Sequence, residues 1–472
     1  MEGSSLWENV HTFYKMPVSF LGLILDRAGG RQLEVHFRSC DYLHSVKRRE
    51  GYFKTIQPIA DRIKSFTVHV TASEWGKAYL CDLFSIPYPN LESLDLSHDA
   101  FNPPSPRRYR GQRLYQPDTG DAKETVILQL ITSTPAGQLK NLTLRHMKGW
   151  PPTNFGNLTN LTLFGYADGT ALAEAVPANL ALQKLKLESI KYKERYSYDL
   201  KRLVKLDGQT LELARCEPGV LNMFTLSSTC SLVITRTMDK YTIAYEGEVP
   251  DLRWLPEDVS AIRCLHELEE VHFSVTKTPR KKGWIAAEQK TVGYSTPNLT
   301  SGRGAKPSVT FVLTYYADAR APLYEIPFKP KYLLPHPVPW GQVTGASLNG
   351  FHEQFSIRDN VVLKTLPNLR SLTLRCCNSG YLVRFITPDE LRGLESLRLE
   401  DELSGADFGD VLSKVFELRY VSAGLRLKDL KLVTSGGPGS TITAEQVEEL
   451  KEWIYCIDVI KAPGYRSVVI TR

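Results

Sequence analysis

Leu91-Glu92-Ser93-Leu94-Asp95-Leu96 is one copy of a phrase, L-x-x-L-x-L, that this chain repeats. Further copies start at Leu139, Leu158, Leu182, Leu369, Leu394 and Leu427. The last two leucines of each copy are two residues apart. They point to one side of a short strand, and the residues between and beside them point to the other. One such strand cannot bury its apolar row alone, but parallel copies stacked side by side can. The phrase therefore predicts an α/β fold, a leucine-rich repeat solenoid in which a curved parallel sheet carries helices on its outside.

The spacing of the copies sets the expected organisation. Strands starting at Leu33, Ile63 and Leu91 are 30 and 28 residues apart, long enough for a strand and a helix. Weaker strands are predicted at Thr210–Leu213, Ser231–Ile234, Leu268–Phe273, Val309–Leu313 and Val343–Leu348, giving roughly a dozen units. Residues 1–30 read as an N-terminal helical cap, and 31–472 as the solenoid. Ser4 or Ser5 caps a first helical segment through Tyr14, and Pro17 opens a second through Arg27 that Gly29-Gly30 ends. Phe20, Leu21, Ile24 and Leu25 share one face of it. Helices are expected near 51–61, 75–84 and 123–132, and from Thr387. Thr443-Ala444-Glu445-Gln446 is a capping box opening a helix through about Ile460, and Val468–Ile470 is a final edge strand. Irregular insertions interrupt the pattern at about 99–123 and 276–340; six prolines between Pro322 and Pro339 preclude a regular helix there.

Composition narrows the function classes. A net charge of +6 over 472 residues is small and mixed along the chain, without the concentrated basic stripe that nucleic acid would need. The 8 cysteines form no C-x-x-C pair and read as reduced thiols. The segment Met1–Trp7 lacks the pattern of a secretory signal, and the apolar stretch Met16–Leu25 is too short to span a bilayer. The expected location is cytoplasmic or nuclear, with no membrane and no nucleic-acid partner. No phosphate-binding G-x-x-x-x-G-K-[ST], no H-E-x-x-H and no G-x-S-x-G is present. No cofactor, metal ligand set or catalytic residue is predicted, and the chain is expected not to be an enzyme. The alternative is an enzymatic, anion-binding or RNA-binding site in the insertions, where Arg107, Arg108, Arg110 and Arg113 cluster.

Function is then sought in the outward residues of the phrase, on the expected inner, concave face. These rows include Asn141, Thr143 and Arg145; Asn160, Thr162 and Phe164; Lys184, Lys186 and Glu188; Ser371, Thr373 and Arg375; and Ser396, Arg398 and Glu400. They are polar, varied and mixed in charge, as a protein-binding surface is. Arg145, Phe164, Lys184, Lys186, Arg375, Arg398 and Glu400 are the candidate partner-binding residues.

Several segments resemble a known family. Ser5-Leu6-Trp7-Glu8-Asn9-Val10, the helix ending Leu25-Asp26-Arg27-Ala28-Gly29-Gly30, and Gln32-Leu33-Glu34-Val35-His36-Phe37 are similar to the start of the repeat part in fungal (mushroom-type) F-box proteins. Ile63-Lys64-Ser65-Phe66, Pro89-Asn90-Leu91-Glu92-Ser93-Leu94, Pro367-Asn368-Leu369 and Thr387-Pro388-Asp389-Glu390-Leu391 are similar in style. The resemblance implies a substrate-binding scaffold for a cullin-type ubiquitin ligase. In that family a short helical F-box with a Leu-Pro-x-Glu-like opening precedes the Trp segment. Here Trp7 follows Met1 by six residues, so the F-box itself, and with it the ligase adaptor as a partner, is not expected on this chain.

Overall fold

The computed structural model describes residues 8–11, 16–38, 51–52, 54–70, 86–98, 138–146, 155–165, 169–190, 204–238, 255–256, 260–279, 308–317, 340–349, 366–375, 391–400, 408–434, 442–461 and 468–471. The chain divides into two compact units, Met1–Thr225 and Leu226–Arg472. Both are α/β units built on long, mainly parallel sheets.

In the first unit, β1 (Asn9–His11) pairs parallel with β2 (Leu33–Arg38). Parallel pairing continues through β3 (Ile63–Val70), β4 (Ser93–His98), β5 (Asn141–Arg145), β6 (Asn160–Phe164) and β7 (Lys184–Glu188). After the short β8 (Val204–Leu206), β9 (Thr210–Ala214) pairs with β7. β8 forms a separate two-stranded sheet with β10 (Phe224–Leu226). From β3 to β9 the phrase stays in register: Phe66, Leu94, Leu142, Leu161, Leu185 and Leu211 form one row, and Val68, Leu96, Leu144, Leu163, Leu187 and Leu213 the next. All twelve are buried. A one-residue slip would turn both rows outward, so burial fixes the register.

The second unit contains β11 (Ser231–Met238), β12 (Glu270–Pro279), β13 (Ser308–Ala317), β14 (Gly345–Asn349), β15 (Ser371–Arg375), β16 (Ser396–Glu400), β17 (Leu427–Thr434), β18 (Ile454–Lys461) and β19 (Val468–Thr471). Their order is not the chain order. β13 lies between β11 and β12, parallel to both, and β12 then pairs with β14. From β14 to β18 the strands follow in sequence and in parallel, and β19 closes antiparallel against β18. Residues 276–279 and 308–317, within the expected insertion, belong to β12 and β13, and 280–307 and 318–339 lie outside the described residues.

A repeated turn leads into the phrase. The first leucine donates its N–H to the carbonyl three residues back at Tyr88–Leu91 (3.2 Å), Leu366–Leu369 (3.2 Å) and Leu391–Leu394 (3.1 Å). Pro89 and Pro367 occupy the second position, where a fixed φ suits the turn. The side chain just before the first apolar residue then ties neighbouring units together. Arg62 donates to the Arg31 carbonyl (3.1 Å), Asn90 to the Asp61 carbonyl (2.6 Å), Gln342 to His266 and Asn368 to Gly341. Each accepting carbonyl lies two residues before the first apolar residue of the adjacent unit. Gly393, which precedes Leu394, has no side chain to offer. At the next junction Arg419 reaches the equivalent Arg392 carbonyl (3.3 Å) and that of Leu394 (3.1 Å) instead.

Arg419 comes from the helix Phe408–Ala423, which the sequence reading does not identify. Leu412, Val415, Phe416 and Arg419 form its buried stripe, spaced by three and four residues. The helix Val18–Ala28 forms as expected between Pro17 and Gly29. It buries Leu21, Leu25 and Ala28 but leaves Phe20 43% exposed, so the apolar face expected from sequence is rotated. Two other expectations are corrected. Residues 9–11 are a strand rather than part of a helix, because alternation places Val10 in the core beside Val35. The helix opened by the capping box of Thr443 and Gln446 ends at Leu450, and Ile454–Lys461 is strand β18. β-branched residues and a vacant place beside β17 outweigh continuation of the helix. The helices expected at 75–84, at 123–132 and from Thr387, and the insertion at 99–123 with its four arginines, lie outside the described residues.

Candidate binding face

Opposite the leucine rows, the intervening residues stand in rows of their own on the other face. In the first unit one row runs Asp95, Thr143, Thr162, Lys186, Glu212, and the next runs Ser97, Arg145, Phe164, Glu188, Ala214. Neighbouring strands thus bring Arg145, Phe164, Lys184 and Lys186 together, four of the seven residues singled out from sequence.

Their charges are satisfied across strands. Arg145 grips Asp95 through Nε (3.1 Å) and Nη2 (3.0 Å). Burial alone would lower the Arg145 pKa, but Asp95 and Glu188 together outweigh it and raise it. Lys186 lies 3.1 Å from Glu212 and 3.5 Å from Glu188; Lys184 also pairs with Glu212, and Arg215 with Glu188. Burial pushes the Glu212 carboxyl up, yet Lys186 and Lys184 bring it below the usual carboxylate range.

Phe164 stands among these groups on the outward face. The guanidinium of Arg145 lies 5.9 Å from its ring centre, and that of Arg215 5.7 Å. His146 meets it edge-on at 4.8 Å. A repeated backbone device sets this group. His146, Gly165, Ser189 and Arg215 each follow the last residue of a strand, and each has a positive φ, of 59°, 76°, 56° and 56°. His146, Gly165 and Ser189 donate their N–H to Phe164, Glu188 and Ala214 of the next strand. The sequence reading missed Arg215 and Asp95, because the pairing depends on cross-strand register and on a left-handed residue after each strand.

In the second unit Arg375 and Arg398 converge on Glu400, which is only 6% exposed. Two cations on one nearly buried carboxylate make this a fixed cluster. The sequence-predicted residues therefore fall into two groups, one in each unit. The second unit also joins residues that the sequence leaves apart. His272 Nδ1 lies 2.8 Å from Ser347 Oγ on the adjacent strand, and Glu270 lies 3.8 Å from its Nε2. That carboxylate is beyond hydrogen-bond reach, so it does not orient the imidazole as an acid–base relay requires.

His272 has a consequence for pH. Burial lowers its pKa below 6.5, against a smaller upward pull from Glu270. The unfolded chain therefore binds the proton more readily than the folded one below pH about 6.5, and stability falls as pH falls through that region. Denaturant midpoints between about pH 7.5 and 5.5 should decline for the native chain. They should decline less for His272→Gln.

Compared with known proteins, the chain matches no family model and no curated protein. Among the described residues no cluster of three or more His, Cys, Asp or Glu is placed to hold a metal ion. Among them, too, no helix is long and apolar enough to cross a membrane.

Proposed function

We propose that the chain is a leucine-rich repeat protein that holds a partner protein on the outward face of its parallel strands, as a scaffold rather than an enzyme. One observation carries the reading. The register that buries the leucines leaves an outward face on which charged side chains pair across strands, with Phe164 standing among them. Aromatic and arginine side chains held rigidly by their neighbours lose little freedom on association, and they supply most of the energy at protein interfaces. The resemblance to fungal F-box proteins adds a narrower version, substrate recognition for a cullin-type ubiquitin ligase.

The test is co-purification with the intact chain, followed by charge reversal at Arg145, Lys186, Arg375 and Arg398. A specific protein partner should be retained by the native chain. Its retention should drop about tenfold or more for at least one cluster, with melting behaviour checked alongside. No specific partner, or binding indifferent to all four reversals, removes the reading. Recovery of the ligase adaptor supports the ligase version, and its consistent absence removes that version alone.

A further inference from the structure

We infer that the Phe164 cluster is an anchor point for an acidic peptide segment of the partner, with a carboxylate seated against the ring edge beside Arg215. The inference rests on the binding-scaffold reading and names the chemistry that the face selects.

The argument begins with the ring. An outward Phe adds nothing to the leucine core, yet three side chains hold this one in place. Arg145 comes from β5 and Arg215 from beyond β9, and the His146 ring packs perpendicular to the Phe164 ring. Both guanidinium groups lie over the ring rather than at its rim, so the rim is the part left for an incoming group. The rim of an aromatic ring is the positive part of its quadrupole.

Charge points the same way. Among the described residues the cluster holds four cations, Arg145, Lys184, Lys186 and Arg215, against three carboxylates, Asp95, Glu188 and Glu212. Glu188 and Glu212 are each shared by two cations, so one positive charge is left over. Arg215 keeps 36% of its side chain exposed beside Phe164. A single carboxylate completes the set. A nucleic-acid backbone fits less well, because the three carboxylates interrupt the cationic row and would face its regularly spaced phosphates. The site is also preorganised: each arginine is already held by a carboxylate, Arg145 by Asp95 and Arg215 by Glu188, so little ordering is left for the binding step.

The experiment pans a display library of short random peptides against the intact chain. Enriched peptides are then measured by fluorescence polarisation against the native chain, Phe164→Leu and Arg215→Glu. Circular dichroism melts confirm that the variants fold. The expected result is enrichment of peptides carrying Asp or Glu, with affinity reduced about tenfold or more by each substitution. Arg215→Glu should recover binding when the peptide acid is changed to Lys, which a purely structural role for Arg215 would not produce. Enrichment of neutral or basic peptides overturns the inference and leaves the scaffold reading standing. So does acidic binding that neither substitution changes, or tighter binding of single-stranded RNA with a steep salt dependence. Absence of any enriched peptide counts against the scaffold reading itself.

Discussion

Arg419→Ala is expected to destabilise the second unit by about 3 kcal/mol in denaturant unfolding, and Arg419→Met by no more than about 1 kcal/mol. Arg419 is 1% exposed, and its guanidinium donates to the carbonyls of Arg392 and Leu394. Its Nε and Nη1 are buried and have no hydrogen-bond partner among the described residues. Burial lowers its pKa, and among the described residues no carboxylate pairs with it. Three effects compete in the variants. Losing the stem leaves a cavity, worth a few kcal/mol for a large-to-small change in a packed site. Losing the donor strands two carbonyls at about 1–3 kcal/mol each if they stay dry. Removing a cation that lacks a counter-charge returns part of this. Both variants lose the donor, and alanine opens the cavity as well. Methionine fills the space, and the relief from no longer burying an unpaired cation offsets much of the lost hydrogen bonding, so it should stand close to the native chain. If methionine proves as damaging as alanine, hydrogen bonding to the Arg392 turn outweighs packing and desolvation at this site.

Arg419 also marks where the sequence stops being legible. The leucine phrase can be read because its period of two is local: Leu94 and Leu96, or Leu397 and Leu399, declare a shared face without knowledge of any neighbour. The in-register stack and the outward position of Phe164, Lys186 and Arg398 follow from that period. What cannot be read is whatever depends on which unit lies beside which. Val309 alternates well enough to mark a strand, but nothing local places β13 between β11 and β12. Arg419 reads as one more charged helical residue until its bond to the Arg392 carbonyl, in the turn before Leu394, is seen. Tyr455 and Cys456 fit a helix continuing from Leu450 until the place beside β17 is seen. Asp95 and Arg145 are fifty residues apart in the chain and meet only through register.

The tightest backbone position in the candidate face gives the second large effect. Gly165→Ala is expected to cost about 3 kcal/mol, measured by denaturant unfolding, and to weaken any binding that depends on Phe164. The left-handed φ of 76° is not the whole reason. His146, Ser189 and Arg215 hold similar conformations at the equivalent place with full side chains, at a cost of about 1–2 kcal/mol each for an L-residue. Gly165 differs because a Cβ there would lie 2.2 Å from His146 Nδ1 and 2.5 Å from its Cε1. The imidazole is not free to retreat, since it packs edge-on against Phe164. The clash and the backbone strain can therefore be separated. In a His146→Ala background the ring is gone, and Gly165→Ala should cost only about 1 kcal/mol, the strain that remains. The coupling between the two sites should be about 2 kcal/mol, within the range for residues in direct contact. Additive effects would mean that His146 swings aside without cost, and the Phe164 ring would then be held by the two arginines alone. Strong coupling would mean that Gly165 is a glycine chiefly so that His146 can stand against Phe164.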